Sequence, residues 1–133
     1  MADYGHTLIL SDTDWDLTLT ESGGIATATG PYAVSQNVAN AVRLFTHDAF
    51  YDPDRGIPHF VTDLGRRFSP PVVRSEVQAA ALSVAGVKRC RLTDARVTRG
   101  TEVAQTGDTV RARTLTGDIR LTLETGETAN VTL

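Results

Sequence analysis

Cysteine is almost missing from this chain. Cys90 is the only one, so one copy can form no internal disulfide and no cysteine-based zinc site. No sequence-near histidine activates the thiol, and its alternating surroundings read as those of a packed strand residue. Lysine is equally scarce, Lys88 being the only one among 13 basic residues. An arginine-dominated set favours planar, bidentate pairing with carboxylate or phosphate over a diffuse cationic coat. Basic residues are absent from positions 1–42, which hold five acids, whereas positions 88–113 hold seven bases against three acids. That polarity suits orientation between charged neighbours or head-to-tail self-association, and it equally suits the solvated faces of one domain. A net charge of −3 and a pI near 5.5 argue against a dedicated nucleic-acid binder. No apolar run approaches the roughly 18 residues of a spanning helix, and no basic stretch precedes an apolar core near the N-terminus. The expectation is a chain made in the cytoplasm with no membrane partner. G-x-S-x-G, H-E-x-x-H and P-loop patterns are also missing, so no cofactor, metal or catalytic residue is assigned.

What remains is an ordinary globular composition, 41% hydrophobic and 22% charged over 133 residues, which suits one domain spanning 1–133. Residues 8–29 read as two short strands. Trp15, Leu17 and Leu19 alternate with polar residues, and a Glu-Ser-Gly-Gly turn leads into residues 25–29, giving a hairpin with one apolar face that places Trp15 in the core. Gly30-Pro31 reads as a break and Ser35 as the N-cap of a helix running to about Asp48, with His47 in its last turn. Val34, Val38, Ala41, Val42 and Phe45 form its apolar stripe. A second helix opens at Ser69-Pro70-Pro71, carries Val73, Val77, Ala80, Ala81 and Val84 on one face, and stops at Gly86. From Val87 the period becomes 2, with strands near 87–98, 109–115, 118–123 and 128–133 and a short connection at Glu124-Thr125-Gly126-Glu127. The fold class expected is α+β: two core helices on a small, mainly antiparallel C-terminal sheet, with an N-terminal hairpin over 1–30, a helical part over 35–86 and the sheet over 87–133. The last, threonine-rich strand offers an edge for pairing with another polypeptide.

Between the helices, residues 50–64 read FYDPDRGIPHFVTDL. Two aspartates, an arginine, a glycine and two prolines are turn chemistry, yet Phe50, Tyr51, Ile57 and Phe60 need something to pack on. Asp52, Asp54 and Asp63 with His59 could be drawn as a catalytic or metal site, but Asp-Pro-Asp-Arg-Gly is also what a β-turn requires, and the turn is the stronger reading.

Taken in order, Arg43-Leu44-Phe45, then Tyr51-Asp52-Pro53-Asp54-Arg55-Gly56-Ile57-Pro58-His59-Phe60, then Leu64-Gly65-Arg66-Arg67, then Val73-Arg74-Ser75-Glu76-Val77 resemble the GPW/gene-25-like baseplate wedge family of contractile phages, and within it the Mu-like tail proteins. The likeness runs over about 38–133 and includes the helix-to-strand junction Leu82-Ser83-Val84-Ala85-Gly86-Val87. It implies a virion structural protein of the tail baseplate, assembled in the host cytoplasm. Such a protein is present in several copies around the tube hub, with other wedge proteins and the tail sheath as partners. It also implies that a sheet edge accepts strands from sheath subunits. The family's Glu-Pro-Arg motif is replaced here by Ala85-Gly86-Val87-Lys88-Arg89, so no contact of those charged side chains is carried over. The expected partner-binding residues are Tyr51, Asp52, Arg55, Gly56, Ile57, Pro58, Phe60, Arg66, Arg67, Val131 and Leu133. The alternatives are a peptidoglycan-degrading, lysozyme-like tail enzyme using Asp52, Asp54 or Glu76, and an assembly factor absent from finished particles.

Overall fold

The computed structural model describes residues 6–59, 69–103 and 109–132. Chain order is β1 (Thr7–Leu8), β2 (Thr27–Ala28), α1 (Gly30–Arg43), α2 (Pro70–Leu82), β3 (Val87–Val103), β4 (Thr109–Leu123) and β5 (Thr128–Thr132). Strands β3, β4 and β5 form an antiparallel sheet in that order, and β1 pairs antiparallel with β2. The α+β class expected from the sequence is the one observed.

Helix α1 forms where valines recur every fourth residue, and Val34, Val38 and Val42 are buried with Ala33, Ala39 and Ala41. Each large side chain buried contributes about 1.5–3 kcal/mol. The helix starts at Gly30, not at Ser35. Proline in a first turn has no hydrogen bond to lose, so Gly30-Pro31 opens the helix instead of breaking the chain. Ser35 lies inside it, where its hydroxyl donates to the Pro31 carbonyl at 2.9 Å. The helix ends at Arg43, because Leu44 turns extended with its N–H on the Asn40 carbonyl. His47 therefore lies beyond the helix, in a turn with φ of 75°, and not in a last helical turn.

Helix α2 opens on Pro70 and Pro71 as expected and buries Val73, Val77 and Ala81, but it ends at Leu82 with Ser83 as its cap, so Val84 lies in the turn that follows and Gly86 is not the helix stop. Gly86, at φ of 92°, turns the chain into β3. The two strands expected over 109–115 and 118–123 are a single strand running through Gly117. Opposite it, Asp94 takes φ of 52° within a register shift between Thr93 and Arg96. A Cβ on Gly117 would lie 3.3 Å from Leu92 Cδ1 and 3.4 Å from the Ala95 Cα, so the glycine lets the bulge close against an unbroken partner strand.

The core lies where both helices cover the inner half of the sheet: Val34, Val38, Val42, Val73, Val77 and Ala81 meet Val87, Leu92, Ile119, Leu121, Leu123 and Val131. Cys90 packs against this cluster, and burial pushes its thiol up to about 11. Strand β5 pairs only with residues 118–122. The outer half of β3–β4, from Arg96↔Thr116 to Val103↔Thr109, is thus a two-stranded ribbon with no third strand among the described residues.

The N-terminal strands depart most from expectation. Their alternation is present, but Leu8, Leu17, Leu19 and Ile25 are exposed. Trp15 is neither on a strand nor in the core: it sits in a turn at φ of 57°, partly exposed. Among the described residues, no helix is long and apolar enough to cross a membrane.

Candidate interaction site

The chain after α1 folds back on itself through backbone bonds. Phe45 and Ile57 form a parallel bridge. The Ile57 N–H donates to the Leu44 carbonyl at 2.9 Å, Thr46 N–H to the Ile57 carbonyl at 3.1 Å, and His47 N–H to the Pro53 carbonyl at 3.0 Å. Ile57 belongs to the core cluster, which gives the loop an apolar anchor. Gly56, at φ of +112°, stands against the Phe45 carbonyl, and a Cβ there would come within 2.7 Å of it. His59 adds a ring contact with Phe45, centroids 4.8 Å apart, and a 3.1 Å bond between Nε2 and the Val42 carbonyl. Asp52-Pro53-Asp54-Arg55 is the expected turn, closed by the Arg55 N–H on the Asp52 carbonyl at 3.1 Å.

This anchoring leaves two aromatic rings outside. Phe50 is 93% and Tyr51 69% exposed, and they meet edge-on with centroids 5.5 Å apart. Asp52 and Arg55 are exposed beside them, Gly56 and Pro58 are half-buried, and the Ile57 side chain faces the core. Phe50 was not among the expected contact residues, although its place in the aromatic pair Phe50-Tyr51 at the head of a turn was the available signal. Phe60, Arg66, Arg67 and Leu133, like Asp63, lie outside the described residues. Asp54, Arg55, Gly56 and Pro58 face Glu76 and Ser83 of the α2 region across a shallow groove of about 340 Å³. Asp54 and Glu76 thus share one groove, while Asp52 does not line it.

A second groove, about 610 Å³, runs between α1, the turn at residues 11–16 and the outer edge of β5; Trp15, Tyr32, Gln36, Arg43, Asn130 and Thr132 line it. The Arg43 guanidinium stacks over the Trp15 ring at 4.4 Å. The Tyr32 hydroxyl donates to Asp12 Oδ1 at 3.3 Å, and desolvation followed by the Asp12 charge raises its pKa. The Asp14 carboxyl is held below its ordinary value by hydrogen bonds from the Ser11 side chain and the Asp16 backbone. Gln36, almost fully buried, clamps β1 to α1: Oε1 accepts from the Leu10 N–H at 2.9 Å and Nε2 donates to the Leu8 carbonyl at 2.6 Å. Sequence reasoning missed Gln36. The signal was its place between Ala33 and Ala39 on a narrow face beside the valine stripe.

The Val131 side chain belongs to the core. It can reach a partner only through its backbone, on an edge that no other strand pairs with among the described residues. An edge of this kind, beside a groove with aromatic and cationic walls, suits an added strand. Among the described residues, no group of three or more His, Cys, Asp or Glu is placed to hold a metal ion. No protein-family model matches the chain, and no curated protein matches it.

Proposed function

We propose that the chain is a structural subunit of a contractile tail baseplate, a wedge component that joins neighbouring wedge proteins through the 50–60 loop and seats the tail sheath on the edge of its sheet. The observation that carries this reading is the pairing of a backbone-anchored loop, which holds Phe50 and Tyr51 out in solvent, with a β5 edge that no other strand pairs with among the described residues and that lies beside a groove. The resemblance of residues 38–133 to the wedge family supplies the kind of assembly. The role is positional: backbone hydrogen bonds along β5 would give attachment, and the groove walls would select the incoming strand. The baseplate ring would be held until contraction is triggered, and the change passed to the sheath through the shared sheet.

Purified particles from a producing lysate, washed in high salt to strip charge-mediated contaminants, test this by mass spectrometry. Retention of the chain in fixed ratio to sheath and wedge proteins is the expected result. Its absence from particles, while abundant in the lysate, would sink the structural assignment. Because Asp54 and Glu76 share a groove, a turbidity assay on purified peptidoglycan separates the positional role from a muralytic one: the expected outcome is no clearing.

A further inference from the structure

The N-terminal strands carry an apolar face turned away from the core. Residues paired across strands share a face, and so do residues two apart along one strand. The pairs Leu8↔Thr27, Leu10↔Leu17 and Leu19↔Ile25 therefore put five apolar side chains on one side. Leu8, Leu17, Leu19 and Ile25 are exposed, Leu19 at 69% and Ile25 at 53%. The opposite side carries Ile9, Thr18 and Ala26, half-buried, and Ala28, buried. An antiparallel sheet with one face in water normally turns its polar side outward. Here the larger apolar side chains are outside, and a contiguous apolar face on the surface marks an interaction site. The five line neither of the grooves described above.

The charge around this face decides what can cover it. Asp12, Asp14, Asp16 and Glu21 lie exposed on the turns that join its strands, and positions 1–42 hold no Lys or Arg to neutralise them. The first base, Arg43, is stacked over Trp15. Two copies meeting through this face would set like acids against each other, a juxtaposition that opposes the contact. An anionic lipid surface is opposed for the same reason. A segment whose apolar side chains are flanked by Lys or Arg satisfies both the face and its rim. An open sheet face is closed by a further layer, and the layer that one segment can supply is an amphipathic helix.

We propose that the face formed by Leu8, Leu17, Leu19 and Ile25 is the docking site for an amphipathic helix of another protein, one whose apolar stripe is flanked by Lys or Arg. The stripe packs on the exposed leucines and isoleucine, and the basic flanks pair with Asp14, Asp16 and Glu21 on the turns. Recognition here runs through side chains on the face of a sheet, unlike strand addition at the β5 edge. It stands independently of the baseplate reading.

Fluorescence anisotropy on the full chain tests it, with a labelled helical peptide of about 18 residues, leucines on one stripe and lysines beside them, as the probe. At about 50 mM salt the expected Kd is on the order of 10 μM, weakened at least about tenfold at about 500 mM. A peptide with the same leucine stripe and glutamates in place of the lysines is expected to bind at least about tenfold more weakly. Leu19→Ser with Ile25→Ser, at exposed positions outside the core cluster, weakens binding of the lysine peptide at least about tenfold. D14N/D16N/E21Q, whose amides keep hydrogen-bond acceptors on the turns, weakens it and removes most of the salt dependence. Phe50→Ser with Tyr51→Ser leaves it unchanged, which separates this face from the loop of the baseplate reading. Circular dichroism confirms that each variant is folded. Absence of binding up to about 1 mM peptide overturns the proposal. So does equal binding of the glutamate peptide, or a folded face variant that binds like wild type. A wild-type dimer in sedimentation velocity that Leu19→Ser dissociates overturns it as well, since the occupant is then a second copy.

Discussion

Gly56 turns its bare Cα toward the Phe45 carbonyl, so close that a Cβ would lie 2.7 Å from both the carbon and the oxygen. Its φ of +112° is a conformation that L side chains rarely adopt. Gly56→Ala therefore combines backbone strain of about 1–3 kcal/mol with a steric clash that must push the 52–58 turn away from Leu44 and Phe45. Gly126 separates the two effects: its φ is +89°, but a Cβ there would meet nothing within 4 Å. Urea unfolding should show Gly126→Ala losing only the strain, about 1 kcal/mol, and Gly56→Ala losing more. Equal losses would mean that the close approach to Phe45 is not tight in solution.

Gln36 holds Leu8 and Leu10 to α1 by two hydrogen bonds. Gln36→Leu keeps the volume but strands a backbone N–H and a carbonyl on the strand side, at a cost of about 1–3 kcal/mol. The N-terminal strands contribute little to the core cluster, so the loss is expected to be local. Hydrogen exchange should speed up by at least about tenfold at residues 7–10 and 26–28 while the 118–123 amides stay protected. Uniform acceleration along the chain would show that the N-terminal strands unfold only with the whole domain.

Elements set by local chemistry were legible in the sequence. Val34, Val38 and Val42 repeat at a helical period, Ser69-Pro70-Pro71 opens α2, and Glu124-Thr125-Gly126-Glu127 makes the β4–β5 turn. Features set by distant partners were not. Gln36 finds its partners 26 and 28 residues away. The alternation of Leu17 and Leu19 marks a face without saying whether anything covers it. Gly30-Pro31 suits a break and a first helical turn equally well. Gly117 looked like a gap between strands because the bulge it accommodates, at Asp94 and Ala95, lies on the other strand. In the candidate site, the Asp-Pro-Asp-Arg turn and the need for a positive φ at Gly56 were readable, but the inward course of Ile57 and Val131 depended on the packing of the whole domain.

Cys90 supplies a check on the packing of β3 against the core. Burial lifts its thiol from an ordinary 9.0 to about 11, so at pH 8 the folded chain holds about a hundredfold less thiolate than the unfolded one. Labelling by a disulfide reagent at pH 8 should be slower in the native protein by that factor or more, with burial adding to the effect. Since the folded-state value is the raised one, this group's contribution to stability is fully present below pH 9 and lost as pH rises towards about 11. Cys90→Ala should flatten that part of the stability curve. Equal labelling rates in native and urea-unfolded protein would show that β3 does not shelter this side chain.

Asn130 and Thr132 are exposed on β5 and line the groove that also contains Trp15 and Arg43. Neither belongs to the core cluster, so Asn130→Lys with Thr132→Lys should alter unfolding free energy by no more than about 0.5 kcal/mol each. Lysines on an edge strand oppose the addition of another strand, since a new neighbour would have to desolvate both ammonium groups. If β5 is the seat of the sheath, the double variant should fold normally and yet be lost from salt-washed particles. Arg43→Ala provides the graded companion. It removes the cation over the only tryptophan, a contact worth about 0.5–1 kcal/mol at an exposed site, and frees the ring to move, so Trp15 emission reports the change directly. Particles that retain the lysine variant at the wild-type ratio would place the attachment surface elsewhere on the chain, with the Phe50–Tyr51 loop as the next surface to mutate.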